Sequence, residues 1–404
     1  MEKNISVIEI SDTELRLAVG YEKEGKVNII YVAERPIDGL VSGGQIIDFQ
    51  ALSQILSSMR EFKDETTKQK ITINEATLLL PALGLNVFQS TKTTNVVSPY
   101  SLIAQIDIEN AIALVEKENI PNGSKIIDII PDAFVLEMGR TFANPPINEK
   151  SKDVTVKAKI QTLPANIVGD YKRVLDGARM KIRKMCVSPY ALAELGKADK
   201  EIPPSYILVD LGADITNVSL IGNGSVYQTV SFQSGSTALI NQISEKFQLS
   251  FDDALGLLKR YGLDERKINF RPAIAEAMIN GITIEHDPQT LNGIIKEFFD
   301  QEFFPKFDIA FETLMRGYPE NVKNLPVVFT GGLADMYGFE QLAKQKFVSN
   351  TSIHKLMPKC IGARSSKWSA VVGAIFASSK YKGALSDTRV RTPDLSREKV
   401  QENK

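Results

Sequence analysis

The chain limits its own fold most tightly between residues 206 and 221. Tyr206-Ile207-Leu208-Val209 is an apolar run that ends at Asp210, and Leu211-Gly212 follows. Ala213-Asp214-Ile215-Thr216-Asn217 then leads into a second apolar run, Val218 to Ile221. A buried strand that stops at a carboxylate and a glycine, then turns back through Thr and Asn, can bring backbone amides close to a phosphate. An ordinary hairpin whose Asp and Asn serve the turn gives the same local pattern. A weaker second copy near the N-terminus favours the phosphate reading.

That copy begins with an apolar strand over residues 4–10, and Leu15, Leu17 and Val19 alternate in a second strand. Glu22-Lys23-Glu24-Gly25-Lys26 supplies a turn, and Val27 to Ala33 reads as a third strand. Leu52, Ile55, Leu56 and Met59 then share one helical face, and Ala76 to Leu80 is a buried strand closed by Pro81. The same order returns as strands over 206–211, 216–221 and 225–232, a helix over 236–247, and a closing strand at Val327-Val328-Phe329. That last strand runs into Thr330-Gly331-Gly332. Each copy ends its first strand with an acid, Glu9 or Asp210, before a polar turn, Ser11-Asp12-Thr13 or Gly212-Ala213-Asp214. Two such hairpins facing each other would clamp a phosphate tail from both sides.

Two insertions separate these elements. Over 84–162, Asp107 is expected to cap a helix whose Ile108, Ala111, Ile112 and Val115 share a face. Strands follow over 125–130, 133–138 and 154–161, a small α+β unit. The second insertion, 248–325, reads as mostly helical. Its stripe of Ile294, Ile295, Phe298, Phe299, Phe303, Phe307 and Phe311 is assigned to core packing, with an interruption at Pro305. Residues 381–404 read as a polar, disordered tail with no apolar face for a membrane.

Composition narrows the function classes. With 43% hydrophobic and 24% charged residues among 404, the chain reads as a soluble globular protein with a large core. A formal net charge of -1 gives no bulk attraction to nucleic acid or anionic lipid. Cys186 and Cys360, with His286 and His354, support neither a disulfide framework, a zinc site nor a histidine-based triad. The N-terminus shows no signal peptide and no apolar span crosses a bilayer, so a cytoplasmic location is expected.

Several collinear stretches resemble FtsA, the bacterial actin-like cell-division family, up to about residue 380. Gly39-Leu40-Val41-Ser42-Gly43-Gly44-Gln45-Ile46-Ile47-Asp48 looks like that family's glycine-bearing entry to its first helix. Ile106 to Ala111, Ile120-Pro121 and Ile126 to Pro131 resemble its inserted subdomain. Asp210-Leu211-Gly212 is similar to the second phosphate motif and Thr330 to Asp335 to the adenosine motif. The resemblance implies an α/β, two-lobed actin-like (ribonuclease H-like) fold with an FtsA-type inserted α+β subdomain. First-lobe core would span 1–83 and 163–203 around the insert at 84–162. Second-lobe core would span 204–247, with a helical subdomain at 248–325, and 326–380 would complete that lobe and return to the first.

The resemblance further implies ATP and Mg²⁺ in the cleft, self-association into head-to-tail filaments, and binding of the FtsZ C-terminal peptide by the helical subdomain. Such a protein would tether FtsZ filaments to the membrane or to membrane-bound divisome proteins at the division site. Ser11, Asp12 and Thr13 would flank the phosphates from the first lobe, and Asp210, Gly212, Ala213, Asp214 and Thr216 from the second. Gly235 continues the phosphate side, Gly331 and Gly332 would let backbone approach the adenine and ribose, and Asp210 would hold Mg²⁺ through a water. A PilM-like peptide-binding adaptor of a pilus or secretion platform, and a sugar-kinase-type ATPase, are the alternative readings.

The departures from the family fall on the nucleotide site. The family's Asp-x-Gly-Thr is here Glu9-Ile10-Ser11-Asp12-Thr13, and its Asp-x-Gly-Gly-Gly-Thr-Thr-Asp ends here in Ala213-Asp214-Ile215-Thr216-Asn217. A carboxylate at 214 repels phosphate, and Ile215 removes a hydroxyl. The Glu and Lys that would reach ribose and adenine are Leu255 and Leu258. Lys259 lies one position further, about 100° around the helix. Charge-assisted contacts are worth about 1.5–3 kcal/mol each, so losing two or three predicts weak or absent ATPase activity. The Ile-Ile-x-x-Arg pattern expected at the FtsZ-peptide site reads Ile294-Ile295-Lys296-Glu297-Phe298, and the tail shows no terminal amphipathic membrane helix of the FtsA kind, so that membrane attachment is expected to be lost, supplied by a partner or missing through truncation.

Overall fold

The two sequence copies fold into two five-stranded sheets with the same strand order. In the first, β1 (Ile5–Ile10), β2 (Glu14–Lys23) and β3 (Lys26–Pro36) form an antiparallel meander. After helix α1 (Phe49–Met59), β4 (Glu75–Leu80) joins the other side of β1 in parallel. The computed structural model describes residues 4–63, 70–263, 273–279, 282–347 and 352–379, and the tail expected over 381–404 lies outside them.

The insert between the lobe's two halves has its own core. Its antiparallel sheet contains β5 (Asn86–Asn95), β6 (Ser124–Val135), β7 (Thr141–Phe142) and β8 (Asp153–Pro164). Helix α2 (Gln105–Glu116) packs on the sheet through Ile108, Ala111, Ile112 and Val115, against Phe134, Val154 and Ile160. Asp107 lies inside the first turn of α2 rather than at its cap. It still serves the helix start, because its carboxylate accepts from the amides of Ala104 and Val97, both at 2.8 Å. The two strands expected over 125–130 and 133–138 are one strand, β6, whose pairing slips at Pro131 because proline has no amide to donate.

Helix α3 (Ala165–Gly177) returns to the first lobe, where β9 (Lys181–Val187) pairs in parallel with β4 and completes the order β9-β4-β1-β2-β3. Helix α4 (Ser188–Ala198) then crosses between the lobes. The second sheet repeats the plan: β10 (Tyr206–Leu211), β11 (Ile215–Gly222) and β12 (Ser225–Gln233) form the meander.

Helices α5 (Ser236–Phe247) and α6 (Phe251–Tyr261) follow, then a hairpin of β13 (Ala275–Ile279) and β14 (Ile282–His286) that the helical reading of 248–325 did not contain. Helices α7 (Pro288–Phe298) and α8 (Phe304–Met315) come next, joined without a break by a π-helical turn over Phe299–Phe303. Pro305 therefore sits in the first turn of α8, where its missing amide costs nothing. The phenylalanine stripe is core: Phe298, Phe299, Phe303 and Phe307 are buried, with Phe299 and Phe303 edge to face at 5.3 Å.

Strand β15 (Val327–Thr330) pairs in parallel with β10, and β16 (Ile353–Lys355) with β15, after helix α9 (Phe339–Lys346). The last helix among the described residues, α10 (Ser369–Ser379), is apolar on all sides because it is buried on all sides, in the core of the first lobe. It lies so close to α4 that a Cβ on Gly373 would fall on the Ala191 carbonyl.

Candidate nucleotide cleft

The duplicated register places the two acids at equivalent points. Glu9, near the end of β1, stands opposite Arg16 on β2, and Asp210, near the end of β10, stands opposite Asn217 on β11. Arg16 is 9% exposed and fully engaged. Its Nη1 donates to Glu9 Oε2 at 2.7 Å, while Nε and Nη2 donate to Glu14 Oε2 at 3.0 and 2.6 Å. Burial alone would make this guanidinium easier to deprotonate, but the two carboxylates outweigh burial and raise its pKa. Burial likewise pushes Glu14 up, and Arg16 more than reverses that, leaving Glu14 below the usual carboxylate range.

Asp210 has the opposite fate. Burial and the facing charge of Glu9 push it up to about 6, against a hydrogen bond from Asn217 and the more distant pull of Arg16. Asn217 is itself held in place, its Oδ1 accepting from Ser231 Oγ at 2.7 Å.

Between the lobes lies a cavity of about 560 Å³. Of the residues expected at the nucleotide, Ser11, Asp12, Thr13, Asp210, Gly212, Ala213, Gly331 and Gly332 line it. Asp214, Thr216 and Gly235 are not among the residues that line it. The Asp214 carboxylate reaches across to the first lobe, accepting from the Gly43 amide at 3.4 Å, while the Gly44 amide donates to Asp12 Oδ1 at 2.7 Å. Burial, and then the nearby Asp214 charge, raise the Asp12 pKa against that amide hydrogen bond. Thr216 is 0% exposed and its hydroxyl donates inward, to the Ser234 carbonyl at 2.7 Å.

Gly235 is required by packing, since a Cβ there would overlap the carbonyls of Gly212 and Ala213. Those carbonyls accept from the first amides of α5, Ser236 to Gly212 at 3.1 Å and Thr237 to Ala213 at 3.0 Å. A helix start that could receive a phosphate therefore spends two donors on its own turn. Gly331, at φ 92°, is likewise fixed by the strand below it, because a Cβ would collide with the Leu211 backbone.

The lining combines many acids with an apolar stretch centred on α6. Glu9, Asp12, Glu14, Asp38, Asp210, Asp252 and Asp335 contribute seven carboxylates, against Arg16, Lys259 and Lys367. Arg16 is spent on Glu9 and Glu14, and Lys367 pairs with Glu34 at 2.6 Å and approaches Glu14 at 3.8 Å. Lys259 is the lining cation left without an ion pair among the described residues. Phe251, Leu255 and Leu258 from α6, with Ile240 and Met336, form the apolar wall. Asp335 closes that end, pairing with Lys355 at 2.7 Å and accepting from Ser365 Oγ and the Ser366 amide at 2.7 and 2.9 Å.

This donor set matches magnesium triphosphate poorly. Two like charges 6 Å apart repel by about 3 kcal/mol at an effective dielectric of about 20, and a triphosphate would meet several carboxylates at once. Glu9 is neutralised by Arg16, and Asp210 is partly protonated near pH 6. Among the described residues, no group of three or more His, Cys, Asp or Glu is arranged to hold a metal ion. Sequence reasoning had missed Arg16. The signal was there: it follows Glu9 by the same seven residues that separate Asn217 from Asp210.

No family profile matches the chain. It is 24% identical over 382 residues to the cell division protein FtsA of Enterococcus faecalis, covering 94% of this chain and 83% of that one. It is 20% identical over 392 residues to FtsA of Neisseria meningitidis, covering 95% and 92%. Among solved structures, the PilM–PilN type IV pilus biogenesis complex superposes with a TM-score of 0.59 at 14% identity, over 94% of this chain and 99% of that one. MreB5 of Spiroplasma citri bound to AMPPNP gives 0.52 at 11% identity, over 96% and 99%. The expected resemblance and the expected fold both stand: the chain is an FtsA-like protein of the actin fold.

Proposed function

We propose that the protein is a cell-division scaffold that links FtsZ filaments to the membrane or divisome and self-associates into filaments, with weakened or absent ATPase activity. The similarity to FtsA along nearly the whole chain supports the cell-division role. The observation that carries the ATPase statement is the cleft itself. Its carboxylates outnumber its cations, its buried arginine is already paired, and the first amides of α5 are occupied. Filament contacts and partner binding would then proceed without a nucleotide cycle. Among the described residues no helix is long and apolar enough to cross a membrane.

Co-sedimentation with FtsZ filaments, together with anisotropy of a labelled FtsZ C-terminal peptide, tests the partner. Saturable binding of both is expected. The similarity to the PilM–PilN complex supplies the competing reading, a peptide-binding adaptor of a pilus platform. Absence of FtsZ binding, with capture of a peptide from a pilus membrane protein, would replace the first reading by the second. Sub-micromolar binding of Mg²⁺-ATP with steady turnover would refute the ATPase statement.

A further inference from the structure

We infer that the insert over 84–162 is a clasp between the lobes. A buried ion pair fixes it to the first lobe and a lysine over a tyrosine ring closes it on the second, so that opening of the cleft and release of the insert are one event. The clasp residues lie outside the cleft lining and need no ligand there, so their test is separate from the FtsZ and ATP experiments.

Strand β6 carries both ends of the clasp. Its pairing with β8 slips twice, between Ile126 and Asp128 and between Pro131 and Ala133, which leaves Ile127 and Asp132 with no opposite residue. Such bulges bend a strand and re-aim the side chains beside them. Next to the first bulge, the Asp128 carboxylate is buried 3.3 Å from Lys184 Nζ on β9. The same ammonium donates to the Ala377 carbonyl at 3.1 Å, in the last turn of α10, where a cation also suits the helix dipole. The insert is thereby pinned to two elements of the first-lobe core.

The second bulge serves the other lobe. Asp132 Oδ1 accepts from Ser225 Oγ on β12 at 3.0 Å, and its Oδ2 is 3.1 Å from Lys159 Nζ on β8. Lys159 is 3% exposed, and its ammonium sits 3.8 Å from the centre of the Tyr227 ring on β12. A desolvated ammonium is attracted to such a ring face. Space for the ring is kept by Gly222 across the hairpin, where a Cβ would fall 2.7 Å from Tyr227. Both charges at this end belong to the insert, so parting from Tyr227 leaves the Lys159–Asp132 pair intact. Parting Asp128 from Lys184 would instead strand buried charge, which is far more costly. The second-lobe end is therefore the one that opens. With the insert held on the first lobe, rotation of the lobes must shear Lys159 off Tyr227.

Pulsed electron double resonance on the full chain reads these motions as distances. Cys360→Ser removes the half-buried thiol, and Cys186 is buried. Nitroxides then go on exposed positions in pairs: Gln54→Cys with Glu245→Cys for lobe to lobe, Asn95→Cys with Glu245→Cys for insert to second lobe, and Gln54→Cys with Asn95→Cys for insert to first lobe. Tyr227→Leu keeps apolar bulk but removes the ring. It is expected to raise the population of longer distances about fivefold in the first two pairs and leave the third unchanged. Tyr227→Phe keeps the ring and should retain the wild-type distances. Ser225→Ala, which removes only the hydrogen bond to Asp132, should move the same two pairs by about twofold and serves as the test if Tyr227→Leu does not fold. Unchanged distances in both Tyr227→Leu and Ser225→Ala, lengthening in the insert-to-first-lobe pair, or lobes that part while the insert stays on the second lobe would overturn the clasp. Equal effects of Tyr227→Leu and Tyr227→Phe would overturn the role of the ring.

Discussion

Replacing Arg16 by methionine is the sharpest test of how this cleft is held together. Methionine keeps most of the side-chain volume but leaves Glu9 and Glu14 with no cation between them, and Asp210 faces Glu9 from the other lobe. The Arg16 and Glu9 side chains are 11% and 14% exposed, so solvent screens their pair only weakly. Breaking a buried pair from one side costs about 3–5 kcal/mol, most of it from the stranded charge. Removing the Glu9 charge as well relieves most of that penalty, because the remaining Glu14 keeps Lys367 at 3.8 Å. The double variant Glu9→Gln/Arg16→Met is therefore expected to lose about 1–2 kcal/mol, less than Arg16→Met alone.

The chain carries its own reporter. Trp368, its single tryptophan, is 6% exposed and belongs to the segment whose Ser365 bonds Asp335 and whose Lys367 pairs with Glu34 at the cleft. Urea titration followed by Trp368 fluorescence reads the local transition, which matters because a two-lobed chain need not unfold in one step. A shift below about 0.5 kcal/mol for Arg16→Met, or a double variant less stable than the single one, would refute the account.

Three further outcomes follow from the same geometry. The protonated Asp210 carboxyl contributes stability that is fully present below about pH 4 and lost as pH rises through about 6. A displacement from 3.8 to about 6 corresponds to about 3 kcal/mol, so Asp210→Asn should gain up to that amount at pH 7.5 and nothing at pH 3.5. Equal gains at both pH values would refute the burial argument. Gly373→Val should lower the melting temperature markedly, because its Cβ would meet the Ala191 carbonyl and force α4 and α10 apart, a loss of about 1–3 kcal/mol or more. Phe299→Ala, at a fully buried position in the second lobe, should cost about 3–5 kcal/mol in chemical denaturation.

The fold was legible because its information is periodic and duplicated. The apolar run of β1, the alternation in β2, the helical spacing in α1, and the return of the same order after residue 206 each survive without any knowledge of partners. The elements misread were those decided by tertiary context. The hairpin at 275–286 is short, and its surroundings read as helical. The proline at 305 looked like a break, because a sequence does not reveal that it will fall in the first turn of a new helix.

The cleft was legible by halves for a related reason. Its glycines and acids announce themselves in order along the chain, but their meaning depends on what they face. Gly235 and Gly331 suggest a site made for a ligand, yet the backbone crowding around each accounts for the glycine on its own. Arg16 reads as the outward polar residue of an alternating strand until β1 and β2 pair and set it against Glu9. The pairing then alters the chemistry of the whole cleft. In one copy the first-strand acid meets a guanidinium in a closed ion pair. In the other, the equivalent acid meets only an amide and is pushed toward neutrality. A duplicated scaffold has thus given its two halves different charge states through one residue on the neighbouring strand, and that asymmetry sets which ligands the space between them can accept.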